Sequence, residues 1–131
     1  MSTRVLIVDD QPAVRLGLRM QLALDPDLTV IGEACCGEEA LELASMLQPD
    51  LVLMDIVMPG MGGLVATERL LHQAPGCRVV ILTIQDDFET RERARLAGAT
   101  AFVAKARVET LMIELRRVAD ARNKLDSNGT K

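Results

Sequence analysis

Residues 51–63 read LVLMDIVMPGMGG, Leu51 to Gly63. Four apolar residues run directly into an acid, Asp55, and a loop of Val, Met, Pro and Gly follows. A run that is apolar on both faces reads as a strand covered from both sides. A carboxylate at the end of such a strand is either a turn residue or a chemical group. The rest of the chain bears on that choice.

Four more short runs resemble the first: Val5–Asp9 (VLIVD), Thr29–Ala34 (TVIGEA), Val79–Thr83 (VVILT) and Ala101–Lys105 (AFVAK). Amphipathic stretches separate them. Pro12 suits a first helical turn, with Asp10 or Gln11 as cap, and Val14, Leu18 and Leu22 then recur on one face before Asp25-Pro26. Gly37-Glu38-Glu39 opens a second helix with Ala40, Leu43, Ala44 and Leu47 facing inward. Leu64 to Ala74 makes a third, stopped by Pro75-Gly76. Asp86-Asp87 starts a fourth that ends at Gly98. Val108, Leu111, Met112, Leu115 and Val118 trace the stripe of a fifth. Five strands alternating with five helices predict an α/β fold: a doubly wound (βα)5 parallel sheet with right-handed crossovers. After Arg122 the chain turns polar, so 1–122 is expected to be the domain and 123–131 a linker or frayed tail.

Composition narrows the function. The 131 residues carry a formal charge of −4, with no Trp or Tyr and two Phe. A nucleic-acid binder usually shows a basic face. The one candidate, Thr90 to Arg95 (TRERAR), is interleaved with acids and reads as a solvated helix face. Cys35, Cys36 and Cys77 form neither a disulfide framework nor a Cys-x-x-Cys pair. No run is long enough to span a membrane and no signal peptide precedes Val5, so a cytoplasmic location is expected.

In an open α/β sheet, ligands bind beyond the carboxyl ends of the strands, where strand order reverses. The first strand here ends in Asp9-Asp10, the third in Asp55, the fourth in Thr83 and the fifth in Lys105. The order 2-1-3-4-5 places these four ends side by side. Each residue alone has an ordinary reading: Asp as a cap or turn residue, Lys105 as an edge lysine, Thr83 as a plain strand residue. Together they make a set. Three crowded carboxylates call for a cation, and oxygen ligands with spare water positions suit Mg2+. Lys105 adds a positive charge and Thr83 a hydroxyl donor, which completes the equipment for phosphoryl transfer to a carboxylate.

These residues resemble the receiver domain of two-component response regulators over about Arg4 to Arg122. The resemblance rests on VLIVDDQPAVRLGL, PDLVLMDIVMPGMGG, VVILT and RLAGATAFVAK and on their spacing. Gln11-Pro12, IGEACCGEEAL and MPGMGGL are most similar to the subgroup that usually carries a LuxR-type helix-turn-helix output domain. The resemblance implies a flavodoxin-like fold, with Asp55 as phosphoacceptor. It implies Mg2+ held by Asp10 directly, by Asp9 through water, by Asp55 and by the carbonyl of Val57. Thr83 would bond the phosphoryl oxygens and move inward on activation, Lys105 would neutralise phosphoryl charge, and Phe102 would swing with Thr83. The donor would be a sensor histidine kinase or a small acyl phosphate. The switching face would be strands 4 and 5 with helices 4 and 5, and a homodimer could form on phosphorylation. DNA would be read by a C-terminal helix-turn-helix domain absent from this chain, which is expected to be part of a transcription regulator and not to bind DNA itself.

Four positions depart from the family pattern. Phe102 stands where Tyr is common, Ala106 where many members have Pro, Ile84 where a small residue is common, and Gly62 where Asp is common. Ile84 is expected to narrow access to Asp55, and Gly62 to loosen the loop. Met54, Met58 and Met61 read as gap-fillers and His72 as a surface residue. Three alternatives each lack their mark here. A dehalogenase-like phosphohydrolase wants a second Asp where Val57 stands. A flavodoxin-like binding module wants a phosphate-cradling loop where Asp9-Asp10-Gln11-Pro12 stand. A pseudo-receiver would have lost an acid or the Lys.

Overall fold

The computed structural model describes residues 2–127, and the side chains of residues 2–107 and 109–121. The strands are β1 (Thr3–Val8), β2 (Leu28–Ala34), β3 (Leu51–Met54), β4 (Arg78–Thr83) and β5 (Ala101–Ala104). The helices are α1 (Pro12–Leu22), α2 (Gly37–Leu47), α3 (Gly63–Gln73), α4 (Phe88–Leu96) and α5 (Val108–Ser127). All strand pairs are parallel and the order is β2-β1-β3-β4-β5, as expected.

The unbroken apolar runs are explained by two cores. Alternate residues of β1 and β3 enter opposite faces: Leu6, Val8, Val52 and Met54 on one, Val5, Ile7, Leu51 and Leu53 on the other. The first face is closed by Ala40 and Ala44 of α2, Ala66 and Leu70 of α3 and Ala94 of α4. The second is closed by Leu22 of α1 and by Leu111, Leu115, Val118 and Ala119 of α5. Met54, Met58 and Met61 lie in or against the first core, as gap-fillers should.

Local chemistry sets the helix ends. Pro12 opens α1 after Gln11, whose side chain makes no cap bond. The Cys36 thiol caps α2 by accepting from the Glu39 N–H, and the Asp87 carboxylate caps α4 through the Thr90 N–H. The tail departs from expectation. α5 runs on to Ser127, past the predicted boundary at Arg122. Residues 122–127 contain no Gly or Pro, and Arg, Lys and Leu continue a helix readily. Residues 128–131 of the predicted tail lie outside the described residues.

Candidate functional site

The ladder hydrogen bonds extend one residue past three strands, and each time that residue is one of the candidate site residues. Asp9 N–H donates to Ala34 O, Asp55 N–H to Val8 O, and Lys105 N–H to Thr83 O. The backbones of Asp9, Asp55 and Lys105 are thereby fixed by the sheet while their side chains leave its edge. Thr83 is the last residue of β4 and fully buried.

Asp9, Asp10 and Asp55 each bring a carboxylate oxygen within 4.8 Å of the others. Asp9 and Asp55 are buried, and Asp10 is half-buried. Lys105 Nζ donates to Asp9 Oδ2 at 2.8 Å and lies 3.5 Å from Asp55 Oδ1. Burial pushes the Asp55 carboxyl up to about 6, the nearby Asp9 charge adds to the rise, and Lys105 and the Val57 N–H oppose it. One ammonium against three carboxylates leaves two negative charges in excess when all are ionised. A divalent cation matches that excess, and an all-oxygen donor set suits Mg2+. Oxygens around an octahedral Mg2+ sit about 3 to 4 Å apart, so these carboxylates need little movement to share one ion. The donor chemistry therefore fits the metal.

The loop after Asp55 is shaped by glycine. Gly60 and Gly62 have φ of +80° and +79°, conformations in which a side chain is strained. With ψ at 159°, Gly62 occupies a region that is essentially glycine's alone. The expectation that Gly62 loosens the loop is therefore reversed: glycine is what the turn requires. At Gly63 a Cβ would lie 1.9 Å from the Asp55 carbonyl oxygen, so α3 begins pressed against the acceptor's own main chain. The sequence reading passed over Gly63, although two successive glycines with different duties were the available signal.

On the β4 side, Thr83 Oγ1 accepts from the Gln85 N–H at 3.2 Å. Ile84 is 77% exposed. Phe102 is half-buried, with the Arg91 guanidinium 4.6 Å above its ring, and Arg91 also pairs with Asp86. On the β1 side, Arg15 was missed by sequence reasoning. Its Nη1 donates to the Asp9 carbonyl at 2.7 Å and its Nε to Glu33 Oε1 at 3.0 Å. No motif marks it, because the contact depends on how α1 crosses β1 and β2. His72 is exposed, as expected, Cys35 and Cys36 are free thiols, and the Cys77 thiol donates to the Arg78 carbonyl. Among the described residues no helix is long and apolar enough to cross a membrane.

Residues 5–116 match the family model described as the response regulator receiver domain. The chain is 43% identical over 116 residues to the response regulator GacA of Pseudomonas aeruginosa, covering 88% of this chain and 54% of that protein. It is 38% identical over 101 residues to the nitrate/nitrite response regulator protein NarL of Escherichia coli strain K12, covering 77% and 47%. Among solved structures, a LuxR-family two-component response regulator from Aurantimonas sp. SI85-9A1 superposes with a TM-score of 0.85 at 31% identity, covering 92% of this chain and 87% of that one. The chain spans about half the length of the curated relatives it matches. It belongs to the response regulator receiver domain family. Phosphorylation by a histidine kinase is the general function of that family, whose members signal rather than catalyse. Receivers bind Mg2+ at an acidic pocket, and Asp9, Asp10 and Asp55 form such a pocket here.

Proposed function

We propose that this receiver takes its phosphoryl group on Asp55 and carries the signal through the face made by β4, β5, α4 and α5. The observation that carries this reading is the convergence of Asp9, Asp10 and Asp55 on one point beside Lys105. A carboxylate oxygen of Asp55 attacks phosphorus. The bond from phosphorus to the kinase's histidine nitrogen breaks, and the imidazole keeps the electron pair and takes up a proton. Asp9, Asp10, Asp55 and the Val57 carbonyl would hold Mg2+, which supplies charge neutralisation for the phosphoryl oxygens. Asp55 is aimed by its backbone bond to Val8. Lys105 counters the negative charge gathered on the transferring group. The Thr83 oxygen already accepts from Gln85, which leaves its hydroxyl hydrogen for a phosphoryl oxygen.

An aspartyl phosphate carries about two negative charges where a carboxylate carried one. Thr83 and Lys105 are then drawn toward it, and Phe102 follows into the space behind Thr83. The reading extends to the longer protein. Residues 1–122 form its receiver, and the residues after them lead toward a DNA-binding helix-turn-helix domain. Phosphorylation promotes a homodimer, and the protein works in the cytoplasm. These residues alone read no DNA sequence.

Intact-mass spectrometry after incubation with acetyl phosphate tests the core of this proposal. Wild type should gain one phosphoryl mass in Mg2+ and none in EDTA, and Asp55→Asn should gain none. Labelling of Asp55→Asn at the wild-type rate would assign the acceptor elsewhere.

A further inference from the structure

All four polar atoms of Asp9 are held, and one of the ties comes from a side chain of α1. Its carboxylate oxygens take the Gln11 N–H at 2.9 Å and Lys105 Nζ at 2.8 Å, and its N–H donates to Ala34 O. Its carbonyl oxygen accepts from Arg15 Nη1 at 2.7 Å. That carbonyl belongs to the rigid, planar peptide joining Asp9 to Asp10. The direction of the carbonyl therefore fixes where the backbone of Asp10 sits. Among the described residues none donates a hydrogen bond to the Asp10 carboxylate, so this peptide is the principal constraint that aims it.

Arg15 is itself held. Its side chain is 18% exposed, and its Nε donates to Glu33 Oε1 on the edge strand β2. The other Glu33 oxygen takes Arg19 Nε at 2.7 Å. A planar guanidinium can donate in two fixed directions at once, to β2 and to the β1–α1 turn; an ammonium on a flexible stem cannot hold both in register.

We propose that Arg15, aligned by Glu33, is a positioning residue for Mg2+ uptake: it orients the Asp9–Asp10 peptide and so brings Asp10 to the ion. The proposal rests on the metal reading above. Partners that stand behind metal ligands orient them, and their loss weakens binding.

The test is isothermal titration of the whole chain with Mg2+. Arg15→Lys keeps the charge and removes the fork, and it should raise the Mg2+ Kd about tenfold. Glu33→Gln should act in the same direction. Arg19→Lys, which touches Glu33 but not Asp9, should stay within about twofold of wild type. Melting in EDTA checks that each variant folds, and at saturating Mg2+ phosphoryl uptake from acetyl phosphate by Arg15→Lys should recover. An unchanged Kd in Arg15→Lys overturns the proposal, as does an equal loss in Arg19→Lys. If Arg15→Lys does not fold, Glu33→Gln decides in the same way. Failure of wild type to bind Mg2+ overturns the metal reading itself, and it shows in wild type alone.

Discussion

Replacing Asp55 by Asn should make the metal-free protein more stable, by an amount set by the site's own electrostatics. Asp55 is 5% exposed, lies beside the Asp9 carboxylate, and has its carboxyl raised from 3.8 to about 6. The sign follows from proton linkage. Between about pH 4 and 6 the folded chain keeps a proton that the unfolded chain has released, so wild-type stability falls as pH rises through that window. Above about pH 6 the loss is complete and constant. A difference of about two units at about 1.4 kcal/mol each sets a ceiling of roughly 3 kcal/mol. Asn keeps the shape and an oxygen for the Val57 N–H, but its amide is also buried, so the net gain should be about 1–3 kcal/mol. For a domain of this size that is roughly 4–10 °C in Tm. The assay is urea or thermal unfolding by circular dichroism in EDTA, at pH 7.5 and again at pH 4. The variant should lead at pH 7.5 and lose its lead at pH 4. Mg2+ should raise the wild-type Tm and leave Asp55→Asn less affected. No gain at pH 7.5, or an equal gain at pH 4, would refute the reasoning.

Two glycines give opposite expectations for the same substitution. Gly63→Ala drives a Cβ to 1.9 Å from the Asp55 carbonyl oxygen and should cost about 3 kcal/mol or more, or prevent folding. Gly17→Ala meets nothing within 4 Å inside α1 and should stabilise by about 0.5–1 kcal/mol; melts of the two variants side by side check both signs. The Asp87 carboxyl is held below its usual value, chiefly by the Thr90 N–H it accepts at the start of α4. Asp87→Ala should therefore be less stable than wild type at pH 7. The difference should shrink once pH falls below about 4 and through the folded value, and a deficit unchanged at pH 2.5 would assign the effect to something other than this cap.

What was legible in the sequence follows from period and position. β1, β3 and β4 could be read because each is covered on both faces, which leaves an unbroken apolar run. The placement of Asp9, Asp55 and Lys105 could be read because a residue one step past a strand keeps a fixed distance from that run. The Gly62 turn could not, because a glycine written where Asp is common looks like a loss until its backbone angles are known. Arg15 could not, because its contact with the Asp9 carbonyl joins α1 to β1 and has no sequence spacing of its own. The end of α5 could not be read, because a polar stretch such as 123–127 looks like a tail, whereas an exposed helix face is polar too.

The two halves of the site are held with unequal strength, and this bears on where a signal would travel. Asp9, Asp55 and Lys105 sit on ladder bonds that extend the sheet, so their main chains are held by the sheet itself. Past Thr83 the restraints weaken. Thr83 Oγ1 holds one N–H, Ile84 and Phe88 are 77% and 81% exposed, and Arg91 binds Phe102 and Asp86 at the surface. An exposed cation–π contact and an exposed ion pair are each worth about 1 kcal/mol or less. A phosphoryl group adds charge at the rigid half and competes for the Thr83 hydroxyl that borders the weak half. In the proposed mechanism the side that would yield is the one held by small energies, which is the loop after β4, α4 and the Phe102 ring. Arg91 touches both the Phe102 ring and Asp86, so in the proposed rearrangement an inward turn of the ring would give up the contact that links it to the loop after β4.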